Sequence, residues 1–230
     1  MPSVSIVMPV LDEAAGIAAT LGSLQPLRAD GVELIVVDGG STDDTRALAE
    51  GRCDTLIGAA RGRARQMNAG ARHATGEVLL FLHADTELPP DALPALWAAL
   101  AGGACWGRFD VRIDGRHAVL TLVARLMNLR SRLTGIATGD QAMFVTRTAF
   151  EAVGGFPDQP LMEDIALSAA LRRIGPPACL RTRVTTAARH WETHGVWRTI
   201  ALMWRLRAAY ALGADPAALA RQYGYAPNDS

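Results

Sequence analysis

The sequence predicts an α/β protein: a mostly parallel sheet covered by helices on both faces, followed by a largely helical C-terminal part. Three observations carry that expectation. Short apolar runs at Val4–Val10, 32–37, 53–57 and 77–82 alternate with helical stretches at spacings of roughly 25 to 30 residues, the rhythm of β-α-β units. The runs are continuous rather than alternating, as in strands buried on both faces. The first, second and fourth end on carboxylates, Asp12, Asp38 and Asp85, where an open parallel sheet presents its ligand crevice.

Taken in order, Val4–Val10 runs into Leu11-Asp12-Glu13, and 14–25 reads as a helix. The strand at 32–37 ends on Asp38. Gly39-Gly40-Ser41-Thr42-Asp43-Asp44-Thr45 follows, with glycines for the bend, a hydroxyl cap and acids in the first helical turn. After the third strand a helix spans 61–73, and the fourth strand delivers His83-Ala84-Asp85-Thr86 ahead of Pro89-Pro90. The second half is less regular. A helix is expected over 89–103, and 104–113 alternates like a strand exposed on one face. A helix over 117–133, a glycine-containing loop over 134–140, Gln141 and a short strand at 142–145 come next. Helices over 148–156 and 161–174 follow, the latter opened by Glu163-Asp164. The helix 195–211 carries Trp197, Ile200, Leu202, Met203, Trp204, Leu206 and Tyr210 among arginines, a pattern that suits core packing, a dimer face or a membrane surface. The tail after Tyr225 is expected to be disordered.

Composition narrows the chemistry. At 230 residues the chain suits one α/β domain, and its zero formal net charge gives no broad attraction to nucleic acid or acidic membrane. All 23 basic residues are arginine, which excludes a Schiff-base lysine, a P-loop lysine and a lysine general base. Cys53, Cys105 and Cys179 are scattered and unpaired in spacing, as in a reducing compartment, and make no zinc or disulfide framework. Met1-Pro2-Ser3 leads straight into a strand, with no room for a signal peptide, and no apolar run approaches about 18 residues. The expected setting is cytoplasmic.

Nucleotide-binding motifs of the glycine-rich kind are missing. Pro9-Val10-Leu11-Asp12-Glu13 stands where a dinucleotide fold needs G-x-G-x-x-G. Acids at strand ends instead suit ribose hydroxyls, a base N–H and a divalent cation, although any one of them serves equally as a helix cap. Arg61, Arg65, Asn68 and Arg72 share one helical face, either a solvated surface or a diphosphate contact led by Arg65 and Asn68. Glu163-Asp164 has a local explanation in the helix dipole. His190-Trp191-Glu192-Thr193-His194 is not a zinc helix, because H-E-x-x-H needs its glutamate directly after the first histidine. His194 stays a candidate single ligand or phosphate donor.

Together, Val7 to Glu13, the Val37 to Thr45 turn, the strand ending at Asp85, Asn68-Ala69-Gly70 and Glu163-Asp164 resemble glycosyltransferase family 2 over nearly the whole chain. The runs 61–71 and 81–86 further resemble a small single-domain subgroup found beside radical-SAM and arsenosugar-biosynthesis proteins. The resemblance implies a Rossmann-like GT-A domain over 1–225, with a nucleotide-binding half (1–88), an acceptor and catalytic half (89–225) and a tail at 226–230. It implies inverting transfer from a nucleotide-diphosphate sugar to an acceptor hydroxyl. Pro9, Asp12, Glu13, Asp38, Gly40, Arg65, Asn68, His83 and Ala84 would form the donor site. Asp85 would hold Mn²⁺ or Mg²⁺, and Asp164 would be the general base. Asp140, Gln141, Glu163 and His194 would stand on the acceptor side.

The family's D-x-D begins with His83 here, a departure that bears on metal binding and favours Mn²⁺ over Mg²⁺. Loop 134–141 and helix 117–133 would face the acceptor, their apolar content suiting a large or hydrophobic one. Peripheral contact at the inner membrane face and a homodimer stay open. Two rivals are a sugar nucleotidyltransferase, whose glycine-rich loop and lysines are missing, and a non-catalytic nucleotide-sugar-binding domain.

Overall fold

A computed structural model describes residues 1–225, excluding the side chains at 190, 191 and 194; the tail expected at 226–230 lies outside the described residues. Eight strands, β1 (Val4–Val10), β2 (Glu33–Asp38), β3 (Thr55–Gly58), β4 (Val78–Phe81), β5 (Thr86–Glu87), β6 (Trp106–Asp114), β7 (Met143–Thr146) and β8 (Ala178–Ala187), form one sheet in the order β3-β2-β1-β4-β7-β6-β8-β5. The N-terminal four are mutually parallel, as expected. Beyond β4 the sheet becomes mixed: β7 runs antiparallel to both β4 and β6, β8 parallel to β6, and β5 antiparallel to β8. The helices are α1 (Ile17–Ser23), α2 (Gln25–Ala29), α3 (Thr45–Ala49), α4 (Arg63–His73), α5 (Ala92–Ala101) and α6 (Val119–Thr134), then α7 (Arg147–Ala152), α8 (Glu163–Leu171), α9 (Arg189–His194), α10 (Val196–Ala211) and α11 (Pro216–Tyr223).

The continuous apolar runs are explained by two cores, one on each face of the sheet. Ile6, Met8, Val10, Leu34, Val36, Leu80 and Leu82 point to one side, against Ile17 and Leu21 of α1, Leu96 of α5 and Leu120 of α6. Val7, Ile35, Val37, Leu79 and Phe81 point to the other, against Met67 of α4, Phe150 of α7 and Leu167 of α8. Each strand thus alternates between two dry faces. A third, smaller cluster of Leu161, Met162, Leu206 and Leu219 fastens α10 and α11 to the entrance of α8.

Several elements differ from the sequence-based expectation. The helix expected over 14–25 is two, because Pro26 has no N–H to continue α1 but sits comfortably in the first turn of α2. The strand at 104–113 is not exposed on one face: Trp106 through Val111 are all buried, the polar Arg108 and Asp110 as an ion pair. Strand β8 was not expected. Its arginines and threonines leave only Val184 and Thr186 buried, so pairing with β6 and β5 rather than an apolar run holds it. The two-residue β5 was missed for the same reason.

Helix α4 lies unusually close to the sheet. A Cβ on Gly70 would land on the Val7 side chain and reach 2.9 Å from Val37 Cγ2. Nearby, the buried Gln66 amide donates 2.8 Å hydrogen bonds to the carbonyls of both Val10 and Val37, tying α4 to the carboxyl ends of β1 and β2. Gly70→Val should therefore lower stability by about 1–3 kcal/mol through overpacking. An unchanged denaturant midpoint would show that α4 can back away from the sheet.

Candidate active site

The carboxyl ends of β1 and β2 form one polar wall. Asp38 is buried; the backbone N–H groups of Gly40 (3.2 Å) and Ser41 (3.1 Å) and the guanidinium of Arg46 (3.2 Å) donate to it. Burial works to raise its pKa, but the bonds from Ser41, Arg46 and Gly40 outweigh it and hold the carboxyl below its usual range. Gly40 supplies the left-handed turn, φ +93°. The next loop is zipped onto this one: Thr42 N–H donates to Asp12 Oδ1 at 2.8 Å, Asp12 N–H to Ser41 Oγ at 3.0 Å, and Glu13 N–H to Thr45 Oγ1 at 2.7 Å. Pro9 is paired within β1 beside Val37.

Beside this wall opens a cavity of about 430 Å³, lined among others by Glu13, Arg63, His83, Asp85, Asp140, Glu163 and Asp164. The residues just after β4 contribute His83 and Asp85, the 3₁₀ turn Gly139–Gln141 contributes Asp140, and α8 contributes Glu163 and Asp164. His83 packs so tightly on Gly139 that a Cβ there would overlap the imidazole. The Gly139 N–H donates to Asp164 Oδ2 at 2.8 Å, and the Ile165 N–H to Asp164 Oδ1 at 2.7 Å. His83 Nδ1 stands 3.8 Å from Asp140 Oδ1. The three non-glycine residues with left-handed φ among those described are Asp12 (+52°), Ala142 (+43°) and Met162 (+65°). All flank or belong to these segments, where strain of this kind concentrates in functional sites.

Negative charge is crowded here. Burial raises the Asp140 carboxyl above its usual range and the Asp85 charge adds to this, while His83 and Arg63 pull the other way. Glu163, 4% exposed, is pushed up to about 7, first by burial and then by Asp164, with Arg63 opposing. Burial, followed by Arg63, lowers His83 despite its three acidic neighbours, so the imidazole is neutral at neutral pH.

Among the described residues no three His, Cys, Asp or Glu side chains form a preformed metal cage. The donors that do line the cavity, the Asp85 and Asp140 carboxylates beside the His83 imidazole, fit Mg²⁺ or Mn²⁺ held by one or two carboxylates and completed by substrate phosphates.

Not every expected residue reaches the cavity. Glu13, His83, Asp85, Asp140, Glu163 and Asp164 do; Asp12, Asp38, Gly40 and Pro9 stand in the adjoining wall. The expected face of α4 does not line this cavity. Arg65 points outward to Asp158 at 2.8 Å, and the Asn68 amide holds the backbone N–H and carbonyl of Phe156, so it braces a loop. The buried face of α4 is set by Ala64, Gln66, Met67 and Gly70, and this turns Arg63 into the cavity instead. Ala84 is buried, its carbonyl accepting from Thr20 at 2.6 Å. Gln141 is fully buried as a brace, donating to Asn128 Oδ1 at 3.3 Å. The His194 side chain lies outside the described residues. Arg189, Arg207 and Tyr223 line the cavity without having been anticipated. Nothing in their local sequence marks them, since they arrive from segments more than a hundred residues beyond β4. Arg189 forks onto both Glu13 oxygens at 2.9 and 2.6 Å.

Comparison with known proteins follows the same lines. The family described as Glycosyl transferase family 2 matches residues 5–150. An uncharacterized glycosyltransferase of Mycobacterium tuberculosis is 32% identical over 167 residues, 67% of this chain and 63% of that protein. A probable glycosyltransferase of Bacillus subtilis is 26% identical over 93% of this chain and 55% of its own. The chain thus spans less than two thirds of the length of these relatives. Among solved structures, a Pyrobaculum calidifontis mannosyltransferase in complex with GDP-Man and Mn²⁺ superposes with a TM-score of 0.67, at 23% identity, over 94% of this chain and 66% of that one. Glucosyl-3-phosphoglycerate synthase from M. tuberculosis, in complex with Mn²⁺, UDP-glucose and phosphoglyceric acid, gives 0.61 at 24% identity, over 80% and 71%. These likenesses establish a GT-A-like fold.

The Glu163 shift has a measurable consequence. Its folded pKa lies above the ordinary 4.5, so the stabilisation from holding its proton is complete below that pH and is lost as pH rises through about 7. Glu163→Gln carries no such penalty. Its stability should gain on that of the parent protein from pH 5 to pH 8, approaching a difference on the order of 3 kcal/mol, read as a melting-temperature gap that widens with pH. A gap independent of pH would refute the shift.

Proposed function

We propose, from the premise that this chain belongs to glycosyltransferase family 2, that it transfers a sugar with inversion from a nucleotide-diphosphate donor to an acceptor hydroxyl. The observation that carries this reading is the convergence of Asp85, from the end of β4, and Asp164, from the start of α8, on one cavity beside the Asp12–Asp38 wall. Asp12, Glu13, Asp38 and Gly40 receive base and ribose, where carboxylates accept from hydroxyls and ring N–H groups. Asp85 holds Mn²⁺ or Mg²⁺, with neutral His83 beside it as a second ligand or a donor to the diphosphate. When bound, the ion supplies neutralisation of charge growing on the leaving diphosphate.

Asp164 takes the proton of the attacking hydroxyl. Its two backbone hydrogen bonds, from Gly139 and Ile165, fix the carboxylate plane and leave lone pairs for the acceptor. Asp140, the Gln141 turn and Glu163 shape the acceptor side. The Mn²⁺ and sugar-nucleotide complexes of the mannosyltransferase and the synthase support a nucleotide-sugar donor and a divalent cation.

The unpaired cysteines support a cytoplasmic setting. No helix among the described residues is long and apolar enough to cross a membrane. Leu122, Leu126, Leu129 and Leu133 make an exposed stripe on α6, and Trp197 and Trp204 stand exposed on α10. Peripheral membrane contact at the inner face, or a homodimer, would form there.

Incubation with a panel of nucleotide sugars and Mn²⁺ should give slow donor hydrolysis. Asp85→Ala should reduce it at least a hundredfold, in the range metal-site electrostatics supply. With pyrophosphate added, release of a nucleoside triphosphate and a sugar 1-phosphate would point instead to a nucleotidyltransferase, and tight donor binding without turnover to a binding domain. Once an acceptor is found, Asp164→Asn should keep donor affinity and lose transfer 10²- to 10⁴-fold. Normal transfer by that variant would remove Asp164 as the base.

A further inference from the structure

Two arginines beside the site have buried N–H groups with no partner. Arg130 on α6 has Nε and Nη2, and Arg207 on α10 has Nε, shut off from solvent and without a hydrogen-bond acceptor among the described residues. Three nearby guanidiniums, by contrast, are paired: Arg108 and Arg132 with Asp110, and Arg189 with Glu13. Arg207 opens onto the cavity. Burial first, and then the Arg207 charge, lower the Arg130 pKa to about 10, so Arg130 remains charged at neutral pH. Two like charges held together with unfilled donors are costly, and an anion entering the cavity beside Arg207 offsets part of that cost by its charge.

We infer that Arg130 and Arg207 form an anion subsite for the acceptor, which therefore carries a carboxylate or phosphate near the hydroxyl that is glycosylated. Arg207 makes the direct contact, and Arg130 reinforces its charge from behind the cavity wall. Arg207 shares the cavity lining with Asp140 and Asp164, and the same two acids act on Arg130, so the pair stands on the side of the general base. The two helices that carry the pair, α6 and α10, contain no acidic residue that could neutralise it. A planar guanidinium with fixed N–H directions suits bidentate recognition of either anion. The large or hydrophobic acceptor expected from α6 thus gains a required acidic group. This assignment rests on the transferase reading, and its test is arranged to separate the two.

Calorimetric titration with glycerol 3-phosphate, with inorganic phosphate and with glycerol, each without donor, reads the subsite alone. Both phosphates should bind and glycerol should not. Arg130→Gln and Arg207→Gln should each weaken phosphate binding at least tenfold. The same variants, titrated with UDP- and GDP-sugars plus Mn²⁺, should keep donor affinity within about twofold of the parent protein, and in ligand-free buffer they should melt no lower. Loss of donor affinity with phosphate binding intact would assign the pair to the donor diphosphate and overturn the inference. So would phosphate binding that neither variant weakens, no phosphate binding at all, or a fall of several degrees in melting temperature. Failure of every nucleotide sugar to bind the parent protein would instead sink the transferase reading, because the phosphate titrations contain no donor.

Discussion

The geometry of the site depends on one short hydrogen bond, from the Gly139 N–H to Asp164 Oδ2. It joins the turn 139–141 to the start of α8, and the same glycine receives the His83 ring from the end of β4. Three segments that are remote in sequence meet at this point. Removing the glycine's freedom from a side chain would push His83 away, and shifting the turn would release the Asp164 carboxylate.

The turn in its place is held by buried polar groups rather than by apolar packing. Gln141 accepts from the Thr138 N–H and donates to Asn128, whose amide also bridges the N–H and carbonyl of Val111. Arg108, on the same strand, donates to Ser131 and to the Asn128 carbonyl, and shares Asp110 with Arg132. Burial alone would raise the Asp110 pKa, yet the two guanidiniums hold it below its usual range. A fully paired network of this kind sets direction as well as stability, and here the direction it sets is that of Gly139 and Asp140.

Charge around the cavity is divided. Carboxylates crowd the floor between β4 and α8, where a cation and a diphosphate can meet them. Guanidiniums stand at the edges: Arg189 paired to Glu13, Arg63 facing Glu163, and Arg130 with Arg207 beside Asp164. A donor with its metal and an acceptor with its anion would complement opposite sides of this arrangement. The zero net charge of the chain hides that separation.

The sequence by itself determined the parallel half of the sheet and the strand-end carboxylates, because both are local properties. An unbroken apolar run buried on two faces reads the same in any α/β context, and Asp38 or Asp85 follows such a run directly. What only the tertiary structure decided is which side chains share a cavity. The spacing along α4 favours Arg65, but Ala64, Met67 and Gly70 set the buried face and bring Arg63 to the cavity instead. Strand β8 is polar enough to pass for a loop, and it is a strand because β6 offers it backbone partners. Arg130 and Arg207 lie 77 positions apart, and only the folded chain brings one charge within reach of the other. Hydrophobic periodicity is written along the chain, whereas the pairing of charges depends on distances that exist only after the chain has folded.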